Sequence, residues 1–214
     1  MLPDYFWVFI VFEEQMGIVI DHEARRFAII SKSLQLFAEH GYDGVTYQKI
    51  ADSCGIARTT LYKYFRNKRQ IFNYAVGEAA RISNQRFRQL LNPEDSAFTR
   101  LDRLMHAVLT LLFERNIMMT VILDYLLAAQ RSGANVERNI RRHTVTFKHI
   151  LHRLILEGIR NGELKRVDAH FAVEFLFTQL EATVLRLTVS QNADFEELSE
   201  LSRQVLRLLQ RKDG

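Results

Sequence analysis

The chain reads as all-α, with an N-terminal three-helix segment built on a helix-turn-helix and a longer helical segment behind it. Three observations carry that reading. Only two prolines, Pro3 and Pro93, occur in 214 residues, so the strongest helix breaker is missing from most of the length. Apolar residues recur at helical spacing over long stretches. Residues 46–68, TYQKIADSCGIARTTLYKYFRNK, spell a short helix, a glycine turn and a second short helix.

Taken in order, the first helix covers about 21–39, with Phe27, Ile30, Leu34, Phe37 and Ala38 as its inward stripe and Gly41 ending it. The second begins at Thr46, whose hydroxyl can accept an orphan N–H of the first turn. Ile50 and Ala51 face inward, and Ala51 is small where two helices must cross. Gly55 supplies the left-handed backbone of the turn, Ile56 fills the corner, and Leu61 and Phe65 return the apolar stripe to the core. A fourth helix covers about 68–91 and stops before Asn92-Pro93. Further helices are expected at about 96–114, 117–131, 134–160, 168–190 and 194–211, punctuated by Ser132-Gly133 and Asn161-Gly162. Asp168 and Asp194 are candidate N-caps, and Asp194 with Glu197 approximates a capping box.

The Ala51, Gly55, Leu61 spacing places the second short helix where it can enter a DNA major groove. Its outward residues suit that task. Arg58 can offer a two-pronged contact to guanine, and Thr59 or Thr60 can reach a base edge or a thymine methyl. Tyr62, Tyr64 and Lys68 carry groups able to hold phosphates. The bland alternative is a helical pair with a solvated basic face.

The run from Leu36 to Phe72 resembles the N-terminal DNA-binding domain of the TetR (tetracycline repressor) family. The likeness covers Phe37–Tyr42, the Thr46 start, the Ile50-Ala51 pair, Gly55-Ile56, Leu61-Tyr62, Tyr64-Phe65 and Asn67-Lys68. It implies a DNA surface of Thr46, Tyr47, Gln48, Arg58, Thr59, Thr60, Tyr62, Lys63, Tyr64 and Lys68. Two positions depart from the family pattern. Ala57 stands where a serine or proline is usual, which weakens the N-cap, and Thr59 stands where glycine is common. The resemblance also implies a division into residues 1–20 as an extension of uncertain role, 21–70 as the DNA-binding domain, and 71–214 as a helical ligand-binding and dimerisation domain.

Composition agrees with a polyanion partner. Net charge is only +4, but Arg58, Lys63, Arg66, Lys68 and Arg69 cluster on the proposed DNA face, and placement matters more than size. The single cysteine, Cys54, excludes an internal disulfide and a cysteine-based zinc finger. Beside Gly55 it reads as a small structural residue. No phosphate-cradling glycine loop, nucleophile elbow or His-Glu-x-x-His pattern occurs, so an enzyme is not expected, nor is a cofactor. His143, His149 and His152 form a loose trio on an arginine-rich helix and read as solvated residues; no metal is expected.

In the resembled family the last two helices pair across a two-fold axis. Phe171, Phe175, Leu176, Leu180, Val184 and Leu187 on one, and Leu198, Leu201, Val205, Leu208 and Leu209 on the other, have compatible spacing. Of these Phe171, Phe175, Leu180, Val184, Leu201, Val205 and Leu208 are the candidate homodimer contacts. Dimerisation also follows from function, since one short reading helix is weak and two about 34–36 Å apart read successive major grooves of a palindrome. The same resemblance implies a pocket for a largely apolar small-molecule effector, with Met105, His106, Leu109, Phe113, Met118, Tyr125, His143, Phe147 and Gln179 as candidate lining residues; plain core is the alternative for each.

Tyr5–Phe12, YFWVFIVF, is too short to span a bilayer, which takes about 20 residues, and lacks signal-peptide features. It can be an extra packed segment, the result of a start assigned too early, or a membrane- or partner-docking segment; no membrane partner is expected. The expected whole is a cytoplasmic dimeric transcriptional repressor that leaves a double-stranded DNA operator when its effector binds. The competing expectation is a helical protein- or membrane-interaction module with a vestigial head.

Overall fold

The computed structural model describes residues 22–190 and 193–211, apart from the side chains of Val136, Glu137, Asn139 and Arg142. The expected 1–20 extension, with its apolar run, lies outside the described residues. These hold nine α-helices: α1 His22–His40, α2 Tyr47–Ser53, α3 Arg58–Tyr64, α4 Lys68–Leu90, α5 Ala97–Glu114, α6 Asn116–Arg131, α7 Val136–Arg160, α8 Ala169–Val189 and α9 Phe195–Leu209.

The helix ends follow local chemistry. Thr46 caps α2, its hydroxyl accepting the Lys49 N–H at 3.1 Å. Ser96 caps α5 and Asp168 caps α8, the latter accepting from the N–H groups of His170 and Phe171 at 2.8 and 3.0 Å. Asp194 caps α9 in the same way, while the Glu197 carboxylate is engaged by Arg186 at 2.9 and 3.0 Å rather than completing a reciprocal box. Ala57 opens α3 with no side-chain cap. Gly41 and Gly55 turn the chain at φ 69° and 63°, a region that only glycine adopts at little cost.

The helices sort into two compact units. One runs up to Ile82 and takes in Val121–Val136; the other holds Ser83–Thr120 and the residues from Glu137 onward. Both α4 and α6 therefore contribute to each unit, and the units do not follow the simple chain order of the sequence-based division at residue 70.

In the first unit, Ile29, Ile30, Phe37, Val45, Ile50, Ala51, Leu61, Phe65, Ile71 and Phe72 are almost wholly buried. Each large apolar side chain of this kind contributes about 1.5–3 kcal/mol relative to exposure. The second half of α6 belongs to this core. Asp124 accepts the Tyr42 N–H, and Tyr125 donates its hydroxyl to Asn73 at 2.9 Å while its ring stacks 4.2 Å from Phe72 and lies 4.8 Å from Tyr42. Arg131 pairs with Asp43 at 3.1 Å. The second unit has its own core, which includes Leu101, Leu104, Met105, Leu151, Leu154, Ile155 and Leu176. Its C-terminal strand-like clip ties Leu164 to Gln210, with the Lys165 N–H on Leu209 O and the Arg211 N–H on Glu163 O, both at 2.9 Å.

Candidate nucleic-acid interface

The surface of the first unit is organised by the turn between α2 and α3. Buried Ile50, Ala51 and Leu61 fix the two short helices against the core. The rest of α3 is thereby turned outward: Arg58, Thr59, Tyr62 and Lys63 are exposed, and Thr60 is half-buried. Arg58 Nη2 donates to the Tyr62 hydroxyl at 3.1 Å, leaving the remaining guanidinium donors and the Tyr62 O–H free for an incoming acceptor. That set can grip phosphates and offer hydrogen bonds to base edges.

Several residues named from the sequence are engaged within the protein. Thr46 serves as the α2 cap. Exposed Gln48 donates to Asp52 at 2.7 Å. The Tyr47 hydroxyl donates to the Phe65 carbonyl, and burial, ahead of the neighbouring Tyr62, pushes it up to about 12. Tyr64 is half-buried with its ring 4.5 Å from that of His22. Lys68 points inward: its ammonium donates to Tyr42 O at 2.7 Å and Val45 O at 2.9 Å. Burial lowers its pKa against the opposing pull of Asp43 and Asp124. Conversely Arg66 and Arg69, absent from the sequence-based site set, stand exposed just beyond α3. Their charge and its place on this face were both legible in the sequence. Cys54 is half-buried, and burial raises its thiol pKa against the opposing effects of Lys32 and Arg25, which suits an unreactive packing residue.

The residues named for an effector divide between the units. Met105, Leu109 and Phe147 are buried in the second core, with Phe113 packed on it. Met118 and His143 are half-buried. His106 is exposed, its Nδ1 3.1 Å from Ser199 Oγ. Gln179 Oε1 is buried without a hydrogen-bond partner. Tyr125 is a correction: it packs with Tyr42 and Phe72 in the first core, because the Asn73 amide satisfies its hydroxyl there. No group of three or more potential metal-binding side chains occurs among the described residues.

Of the dimer candidates, Phe171, Phe175, Leu201 and Leu208 are 67, 50, 45 and 69% exposed. Leu185 and Val189 extend the apolar surface of α8. Val184 and Val205 are half-buried on the second core, and Leu180 lies within it.

A glycine-turned pair of short helices, with an exposed arginine, threonine, tyrosine and lysine on the second, defines a DNA-binding transcriptional regulator rather than an enzyme. Residues 29–75 match the family described as "Bacterial regulatory proteins, tetR family", so the chain carries an N-terminal segment of that type. It is 27% identical over 183 residues to the "Fatty acid metabolism regulator protein" of Bacillus subtilis (strain 168), covering 85% of this chain and 91% of that one. It is also similar to the icaADBC negative transcriptional regulator IcaR of Staphylococcus aureus (strain Newman), at 42% identity over 48 residues, 22% of this chain and 26% of that one. Among solved structures, the transcriptional regulator FadR from Bacillus subtilis in complex with stearoyl-CoA aligns with a TM-score of 0.71 at 26% identity, covering 87% of this chain and 98% of that one. A TetR transcription regulator from Haloarcula marismortui shares the fold at a TM-score of 0.78 and 17% identity, covering 88% of this chain and 100% of that one. No single helix among the described residues is long and apolar enough to cross a membrane.

Proposed function

We propose that this chain is a cytoplasmic, homodimeric repressor that leaves a palindromic operator on binding a long-chain acyl-CoA. The observation that carries the reading is the exposed Arg58, Thr59, Tyr62 and Lys63 row on a helix whose opposite side is anchored by fully buried Leu61. Arg58 and Thr59 read bases, and Tyr62 and Lys63 hold phosphates. The exposed apolar residues of α8 and α9 are where two copies meet, since large apolar side chains gathered on a surface mark an association site.

The ligand class comes from likeness to a Bacillus subtilis protein named for fatty acid metabolism and to a Bacillus subtilis structure solved with stearoyl-CoA. This chain's own residues support it. The second core includes the adaptable methionines Met105 and Met119 beside Phe113 and Phe147, and Gln179 Oε1 is a buried acceptor with no hydrogen-bond partner within the protein. Such a ligand acts only through a difference in affinity between the DNA-competent dimer and its alternative.

Two measurements test the proposal. The full chain should retard DNA from its own upstream region, with affinity falling steeply as salt rises. Stearoyl-CoA should raise the thermal midpoint and release that DNA, whereas free coenzyme A should do neither. Binding to no upstream fragment would overturn the repressor reading; binding of DNA that ignores stearoyl-CoA would overturn only the ligand.

A further inference from the structure

Tyr47 opens α2, yet its hydroxyl is spent on the carbonyl of Phe65, the residue that closes α3. Its ring lies 4.8 Å from that of Tyr62, the planes inclined by 39°. Tyr62 in turn carries Arg58, whose guanidinium carbon stands 5.6 Å from the ring centroid and whose Nη2 reaches the hydroxyl at 3.1 Å. The contacts form one chain from the start of α2 to the first residue of α3. Because α3 has only 7 residues, its own helical cooperativity is slight, and ties of this sort decide how it is held.

We infer that Tyr47 is a positioning residue for sequence reading: through the Phe65 carbonyl and the Tyr62 ring it sets the angle at which Arg58 meets a base edge. The inference rests on the base-reading role of Arg58 proposed above. Phe65 makes the assignment specific. Its ring is held independently, with the Arg26 guanidinium 5.4 Å above it and Tyr74 edge-on at 6.0 Å. Losing the hydroxyl tie therefore leaves Phe65 buried in the core and frees only the orientation of α3.

The test uses the full chain and Tyr47→Phe, which keeps the ring and removes the O–H. Duplexes selected from a random-sequence pool by the unaltered protein supply a preferred site; an unselected duplex of equal length supplies the background. Affinity for the preferred site should fall about tenfold while background affinity stays nearly unchanged; the thermal midpoint should drop by only a few degrees, as the Phe65 carbonyl loses one donor. In an Arg58→Ala background the second change should add no further loss, because both act on one contact. Equal losses on the two duplexes, full additivity with Arg58→Ala, or a lowered thermal midpoint with an unaltered preference would overturn the inference. If the unaltered protein selects no sequence, the base-reading role falls and takes the inference with it; selection that survives Tyr47→Phe intact sinks the inference alone.

Discussion

The ammonium of Lys68 lies 2.7 Å from the carbonyl of Tyr42 and 4.4 Å from the centre of that residue's ring. With a second bond to Val45 O at 2.9 Å, it closes the loop between α1 and α2 onto the start of α4. A residue type that reads as a phosphate contact is here a structural clasp.

Lys68→Met should therefore lower the unfolding free energy by about 1–3 kcal/mol, since two part-buried carbonyls lose their donor. Chemical denaturation followed by circular dichroism measures this. The salt dependence of DNA binding should barely change for Lys68→Met, whereas Lys63→Ala should reduce the salt slope by about 1. A flat response to Lys63→Ala would remove it from the phosphate-holding set.

Arg58→Ala should weaken binding to the preferred duplex by about 1–3 kcal/mol and broaden base preference at one position of each half-site. Selection from a random pool reads both effects. Equal losses on preferred and unrelated DNA would make Arg58 a phosphate contact only.

Ala57 takes an extended backbone, φ −65° and ψ 146°, at the head of α3 without a capping side chain. Ala57→Ser should place a hydroxyl oxygen where the first-turn N–H groups need one and raise stability by about 1 kcal/mol. Thermal melts at matched protein concentration would show it.

Asp168 is exposed, yet its carboxylate accepts the N–H groups of Phe171 and His170, which hold its pKa below the ordinary 3.8. The stabilisation it gives α8 is fully present above that ordinary value and disappears as pH falls through the depressed folded value. Asp168→Asn keeps a capping oxygen but should flatten this acid limb, visible as a smaller loss of thermal midpoint below about pH 4.

Phe171 and Phe175 stack on exposed α8 with ring centres 6.3 Å apart, and Leu208 is the most exposed of the named residues on α9. The double change Phe171→Glu and Leu208→Glu should give a folded monomer by sedimentation, with native circular dichroism and much weakened operator binding. A persistent dimer would move the association surface elsewhere.

Much of this molecule was legible residue by residue. Thr46, Gly55, Asp168 and Asp194 announce their turns and caps because capping and left-handed backbone are local chemistry. The outward row on α3 follows from helical periodicity around Leu61. What escaped the sequence was the destination of groups with general chemistry. An ammonium or phenol donates as readily to a carbonyl as to a phosphate, so Lys68 and Tyr47 could not be sorted by type. Apolar periodicity likewise marks an inward face without saying which core it faces, so by spacing alone Tyr125 fits an effector cavity as well as the first core. Leu180 and Phe171 share one helix and one spacing logic, and only exposure separates the core residue from the surface one.

The contacts of Asp124, Tyr125 and Arg131 with Tyr42, Asn73 and Asp43 bear on protein engineering. A chimera that borrows the reading module as one contiguous N-terminal piece leaves behind the late segment that braces it. Transplants should carry Val121–Val136 along with the front of the chain, as a two-part cassette, if the recipient is to inherit a rigid reader rather than a loosened one.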